Sequence, residues 1–151
     1  MILLDTNILV RLVAVTDPAH SVVETAIHIL EQTREILCII PQNLFEFWAV
    51  GTRPLNNNGL GLTATECHRE LARFKTFFWL LPDPPTLYDE WESLVVSHAC
   101  HGRISYDARI VAAMRSHGIT KLLTLNSSDF SRYPGLTLLD PARIVASTAA
   151  P

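Results

Sequence analysis

Four acidic side chains, Asp5, Glu46, Asp107 and Asp129, stand where apolar runs give way to polar residues. Ile2-Leu3-Leu4 passes straight into Asp5-Thr6-Asn7, and Glu46 lies shortly after the run Ile36–Ile40 and Pro41. Asp107 falls in the first turn of a helix expected from about Ser105, and Asp129 closes Thr124-Leu125-Asn126-Ser127-Ser128-Asp129. Each has an ordinary explanation taken singly. Asp5 or Thr6 can cap a helix, Asp107 can answer a helix dipole, Asp129 suits a turn, and Glu46 can sit on a solvated face. Taken jointly they point elsewhere. If the strands run parallel, every strand-to-helix junction lies at one sheet edge, and the four acids converge on one cleft. Like charges brought together cannot all stay ionised unaided. Hard divalent cations such as Mg²⁺ or Mn²⁺ remove the conflict. Such a cluster can direct an activated water at a phosphodiester.

The elements that must position these acids read as an alternation. Strands are expected at residues 2–4, 36–40, 78–81, 121–125 and 136–139, and helices begin near Asn7, after Pro18, at Pro41, after Thr63, near Leu87 and near Ser105. Val22, Val23, Ala26, Ile27 and Leu30 recur at helical spacing, and Thr63-Ala64-Thr65-Glu66 has the form of a capping box. Alternating strands and helices predict a three-layer α/β/α domain with a mainly parallel central sheet. The domain is expected to span residues 1–141, with 142–151 as a flexible tail. The aromatic group Phe45, Phe47, Trp48, Phe74, Phe77, Phe78 and Trp79 is expected to be mostly core.

The totals narrow the function classes. At 151 residues and 48% hydrophobic, the chain is long enough to bury a core as one domain. No apolar run approaches a membrane span, and no basic region precedes the apolar start, so a cytoplasmic location is expected. Cys38, Cys67 and Cys100 are odd in number and dispersed, which argues against a disulfide framework or a four-ligand zinc site. The net charge of −3 does not invite nucleic acid, but ten of the twelve basic residues are Arg, suited to forked phosphate contacts. Cations on four acids would move the balance from −3 to +1.

Leu4-Asp5-Thr6-Asn7, Glu46, Tyr106-Asp107-Ala108-Arg109-Ile110-Val111-Ala112-Ala113 and Thr124-Leu125-Asn126-Ser127-Ser128-Asp129-Phe130 together resemble the blocks of PIN-domain ribonucleases. In spacing and length the chain is most similar to the VapC toxins of bacterial toxin–antitoxin pairs, over residues 2 to about 141. The resemblance implies Mg²⁺- or Mn²⁺-dependent endoribonuclease activity, with Asp5, Glu46, Asp107 and Asp129 as catalytic metal ligands. It implies that Thr6 and Asn126 hydrogen-bond ligands or the attacking water. It further implies a homodimer that pairs with a VapB-like antitoxin through a helix laid in an apolar groove. Many relatives carry an acid at the place of Asn126, so the number of ions, one or two, stays open.

Arg103, Arg109 and Arg132 are expected near the acid edge. Arg103 and Arg132 are candidates for RNA phosphates, while Arg109, two residues from Asp107, is expected on a different and solvated helix face. Two other functions remain. One is a catalytically weak PIN-fold module that binds RNA or protein, for which Asn126 leaves room. The other is phosphoryl transfer through Asp5 as nucleophile, which wants a second acid where Asn7 stands.

Overall fold

Ile2, Leu3 and Leu4 are each 1% exposed or less, which a strand achieves only when both faces of its sheet are covered. The computed structural model describes residues 1–148 and shows that arrangement. Five strands, β1 (Ile2–Leu4), β2 (Leu37–Ile39), β3 (Trp79–Leu80), β4 (Lys121–Leu123) and β5 (Thr137–Leu139), form one sheet in the order β3-β2-β1-β4-β5. Every pairing is parallel, with Leu3 opposite Cys38 and Leu4 opposite Leu123. Side chains then alternate between two helical layers. Ile2, Leu4, Leu37, Ile39 and Leu123 pack with α1 (Thr6–Val13), α2 (His20–Gln32), α3 (Pro41–Gly51) and α4 (Ala64–Phe77). Leu3, Cys38 and Leu122 face α5 (Leu87–Ser97) and α6 (Ile104–Ser116). The expected three-layer α/β/α architecture is therefore present.

The strand order does something the alternation alone does not reveal. From β1 the chain builds outward to β2 and β3, then returns to place β4 and β5 on the other side of β1. The reversal opens a crevice past the carboxyl ends of β1 and β4, the usual ligand position in such sheets. Helices antiparallel to the strands bring their N-termini to that edge. Asp107 in the first turn of α6 arrives there for that reason, as does the short helix α7 (Ser127–Phe130) after β4.

Two local expectations need correction. Residues 142–148 are not a flexible tail: α8 (Pro141–Thr148) starts at a buried proline and packs on α2, with Ile144 against the core. The rest of that segment, 149–151, lies outside the described residues. Of the seven aromatics expected to be mostly core, only Phe47, Phe74 and Phe78 are buried, with Phe47 edge-on to Phe74 at 4.9 Å. Phe45, Trp48, Phe77 and Trp79 are exposed. Helical spacing puts Phe45 and Trp48 on the outer side of α3, and Trp79 lies on β3, whose far edge has no neighbouring strand among the described residues.

The capping box is formed. The Thr63 hydroxyl accepts from the Glu66 amide at 3.2 Å, and the Glu66 carboxylate accepts from the Thr63 amide at 2.8 Å. Thr63→Ala is expected to cost about 1 kcal/mol, read as a lower urea midpoint with an unchanged slope. Among the described residues no helix is long and apolar enough to cross a membrane.

Candidate active site

Asp5 occupies the N-cap position of α1 in extended conformation, yet its side chain makes no capping bond. Its carboxylate faces β4 instead. Oδ2 accepts from the Thr124 hydroxyl at 2.7 Å and from the Asn7 amide at 2.7 Å. Thr124 is oriented by what it accepts in turn, from the Asn126 backbone amide at 3.0 Å and from Asn7 Nδ2 at 3.1 Å. With both acceptor positions taken, its single proton is directed at Asp5. Asp5, 7% exposed, thereby joins the ends of β1 and β4 across the crevice.

A second threonine orients the second acid in the same manner. Thr6 accepts from Asn43 Nδ2 at 3.2 Å and donates to Glu46 Oε2 at 2.5 Å. Asn43 is itself fixed, because its Oδ1 accepts from the Ile40 amide at 2.9 Å where β2 ends. The other oxygen of Glu46 accepts from Gln42 Nε2 at 2.7 Å. Thr6 therefore holds Glu46 in this structure, while Asn126 is exposed at the rim.

Asp5, Thr6, Glu46, Asp107, Asn126 and Asp129 all line one open cleft of about 1210 Å³, and Arg103, Arg109 and Arg132 line it too. Asp107 is half-buried and Asp129 exposed. Burial pushes the Asp5 carboxyl from 3.8 up to about 6, against the Thr124 hydroxyl and the amides of Thr6 and Asn7, which lower it. Asp107 also rises from 3.8 to about 6, first through burial and then through the negative charges of Asp129, Asp5 and Glu46. Arg103 opposes that rise. Among the described residues none of the four acids forms an ion pair.

The donor set suits a hard divalent cation in its chemistry: carboxylate oxygens, amide and hydroxyl neighbours, no thiolate or imidazole, and four acids that no ion pair neutralises among the described residues. Among the described residues no three His, Cys, Asp or Glu side chains form a ready-made metal-binding group. The acids share a cleft and each other's field rather than a closed ligand shell.

A family model for the PIN domain matches residues 2–136. The chain belongs to the PIN-domain family. Its PIN fold is shared with VapBC2 from Rickettsia felis bound to a promoter DNA fragment, with TM-score 0.71 and 18% identity over 93% of this chain and 98% of that one. It is shared with DNA-bound VapBC from Salmonella typhimurium, at TM-score 0.65 and 19% identity over 93% and 97% of the two chains. A third likeness is to VapC20 of Mycobacterium tuberculosis, described as a sarcin-ricin loop cleaving toxin, at TM-score 0.62 and 19% identity over 81% and 87%. Comparison with curated protein sequences gives no match.

Sequence reasoning overlooked several polar residues that build this PIN-domain cleft. Gln42, Asn43 and Thr124 are all buried. Each lies at or just past the end of a buried strand, and a polar residue at such a place is the signal that was available. The angular offset of Arg109 from Asp107 predicts a solvated side chain. In the structure it donates to Gln42 Oε1 at 3.0 Å and to Asp83 Oδ2 at 2.6 Å. A long guanidinium reaches round the helix face that a short side chain would leave to water.

Proposed function

We propose that this PIN domain is a divalent-metal-dependent endoribonuclease, the toxin member of a toxin–antitoxin pair. The observation that carries the reading is Asp107, which lines one cleft with Asp5, Glu46 and Asp129 and is raised first by burial and then by their charges, with no ion pair on any of the four among the described residues. Asp5, Glu46, Asp107 and Asp129 would hold Mg²⁺ or Mn²⁺. When bound, such an ion supplies Lewis-acid charge at the phosphodiester and a more acidic water. The chain's own groups do the positioning. Thr124 and Asn7 fix the face of Asp5, Thr6 and Gln42 fix the two oxygens of Glu46, and Arg103 and Arg132 at the rim of the cleft offer forked donors to RNA phosphates. Attack by water on phosphorus with departure of the 3′ oxygen leaves a 5′-phosphate. Asn126 at the rim donates to substrate or water without adding charge.

The partner reading rests on the solved relatives, several of which are toxin–antitoxin complexes. The proposed partner is a VapB-like antitoxin, and a homodimer in the cytoplasm is part of the same proposal. The exposed Phe45 and Ala49 on α3 border the cleft and suit the apolar face of a partner helix.

Purified protein incubated with RNA is expected to cleave it with Mg²⁺ or Mn²⁺, to stop in chelator, and to leave 5′-phosphate ends. Cleavage that persists in chelator sinks the mechanism. A non-catalytic RNA- or protein-binding module gains if calorimetry detects no divalent binding with RNA present. Asn126, which brings an amide where another carboxylate would strengthen the site, is the feature that favours it.

A further inference from the structure

We propose that Gln42, held in turn by Arg109 and Asp83, is a positioning residue that sets the direction in which Glu46 presents its carboxylate to the metal site. The inference rests on the nuclease reading above and concerns a relay outside the acidic set. Four side chains from three segments line up. Asp83 lies in the loop between β3 and α5, Arg109 on α6, and Gln42 and Glu46 one turn apart on α3.

An amide side chain can present either its oxygen or its nitrogen, so its neighbours must decide which way it points. Here they leave one choice. Arg109 can only donate, and its Nη1 takes Gln42 Oε1 at 3.0 Å. The opposite end of the amide meets two acceptors, Glu46 Oε1 at 2.7 Å and the Tyr106 carbonyl at 2.9 Å. Flipping the amide would set oxygen against oxygen twice and leave Arg109 facing NH₂. Arg109 is held from its other side by Asp83, whose Oδ2 accepts from Nη2 at 2.6 Å. Gln42 is 4% exposed, so water cannot replace a lost partner cheaply.

The relay carries orientation without carrying charge. The Arg109 guanidinium is already paired with Asp83, and a neutral amide stands between it and Glu46. A Lys or Arg in place of Gln42 would pair directly with Glu46 and neutralise the carboxylate that a cation needs. With Thr6 on Oε2 and Gln42 on Oε1, both Glu46 oxygens are directed before any ligand arrives. Groups behind metal ligands that orient them in this way typically change metal affinity or activity 10- to 100-fold when removed.

Gln42 also bridges α3 to α6 through Tyr106, so a purely structural pin is the competing explanation. Mn²⁺ calorimetry on the full chain without RNA separates the two, paired with cleavage kinetics on an RNA oligonucleotide. Gln42→Ala is expected to weaken Mn²⁺ binding about 10-fold and to lower kcat by a similar factor, with KM for RNA within about twofold. Asp83→Asn, on an exposed loop outside the cleft, is expected to shift both in the same direction by less. Arg109→Lys, which keeps the charge and loses the fork, is expected to fall between wild type and Gln42→Ala. Mn²⁺ affinity and kcat unchanged in both Gln42→Ala and Asp83→Asn, with only the melting temperature lowered, would overturn the relay and leave a structural pin. A wild-type protein that neither binds Mn²⁺ nor cleaves RNA overturns the nuclease reading itself, and the relay falls with it.

Discussion

Replacing Asp107 with asparagine is expected to abolish divalent-dependent RNA cleavage while making the metal-free protein harder to melt. Asp107 is the cleanest site for this test because, among the described residues, no hydrogen bond or ion pair of its side chain is lost. Its perturbation is burial plus the negative charges of Asp129, Asp5 and Glu46. An amide of nearly the same shape removes both costs at neutral pH. The side chain is only half-buried, so solvent screens part of the effect. A gain of about 1 kcal/mol, or about 3 °C in melting temperature for a chain of this size, is the reasonable scale. Activity should move the other way and further. Removing one ligand from a site that stabilises transition-state charge forfeits several kcal/mol, and about 4 kcal/mol corresponds to roughly a thousandfold in rate. Cleavage assays and thermal melts in chelator on the same preparation check both halves. Retained activity, or lowered stability in chelator, would count against a metal-holding role for Asp107.

That trade-off was partly legible in the sequence, and the legible part has a physical reason. A buried three-residue strand ending in Asp5-Thr6-Asn7 is a local pattern, and local patterns survive translation into structure. The same holds for Pro41 opening α3, for the box at Thr63 and Glu66, and for Asp107 in the first turn of α6. Convergence of the acids followed from parallel strands alone, because parallel strands share an edge. What the sequence withheld depends on contacts between distant residues. The placement of β4 beside β1 brings Thr124 to Asp5 across 119 positions, and nothing near either residue announces it. Arg109 departs from its expected solvated face because helical angle describes where a side chain leaves the backbone, not where a guanidinium ends. Residues 142–148 differ from the expected tail because Ala- and Ser-rich composition says little about a short helix that packs on α2. The exposed Phe45 and Trp48 could not be separated from Phe47 by hydrophobicity, since all three are aromatic and only the period of α3 tells them apart.

The metal-free protein is expected to grow more stable as the pH is lowered from 7.5, opposite to the usual behaviour of carboxylate-rich sites. The sign follows from the direction of the shifts. Asp5 and Asp107 are both raised from 3.8 to about 6, so folding favours their protonated forms. That contribution is fully present below about pH 3.8 and is lost as pH rises through about 6. For Asp5, nearly buried, the loss by pH 7.5 is on the order of 3 kcal/mol. For Asp107 the share is smaller because water reaches it. Glu35 works in the opposite sense. Its carboxyl is lowered chiefly by the hydrogen bond from Lys121 and then by that from the N-terminal ammonium, so its support is present above about 4.5 and fades on further acidification. A stability maximum near pH 5 should result in chelator. A divalent ion supplies positive charge to the same acids without protons. At pH 7.5 Mg²⁺ or Mn²⁺ at a hundred times its dissociation constant should add about 2.7 kcal/mol. At pH 5 that increment should shrink, because protons compete for the same oxygens. Melting curves at several pH values, with and without the ion, measure both terms on one protein. A melting temperature that climbs steadily from pH 4.5 to 7.5 in chelator, with no added gain from the ion at high pH, would mean that Asp5 and Asp107 are not the strained acids of a cation site.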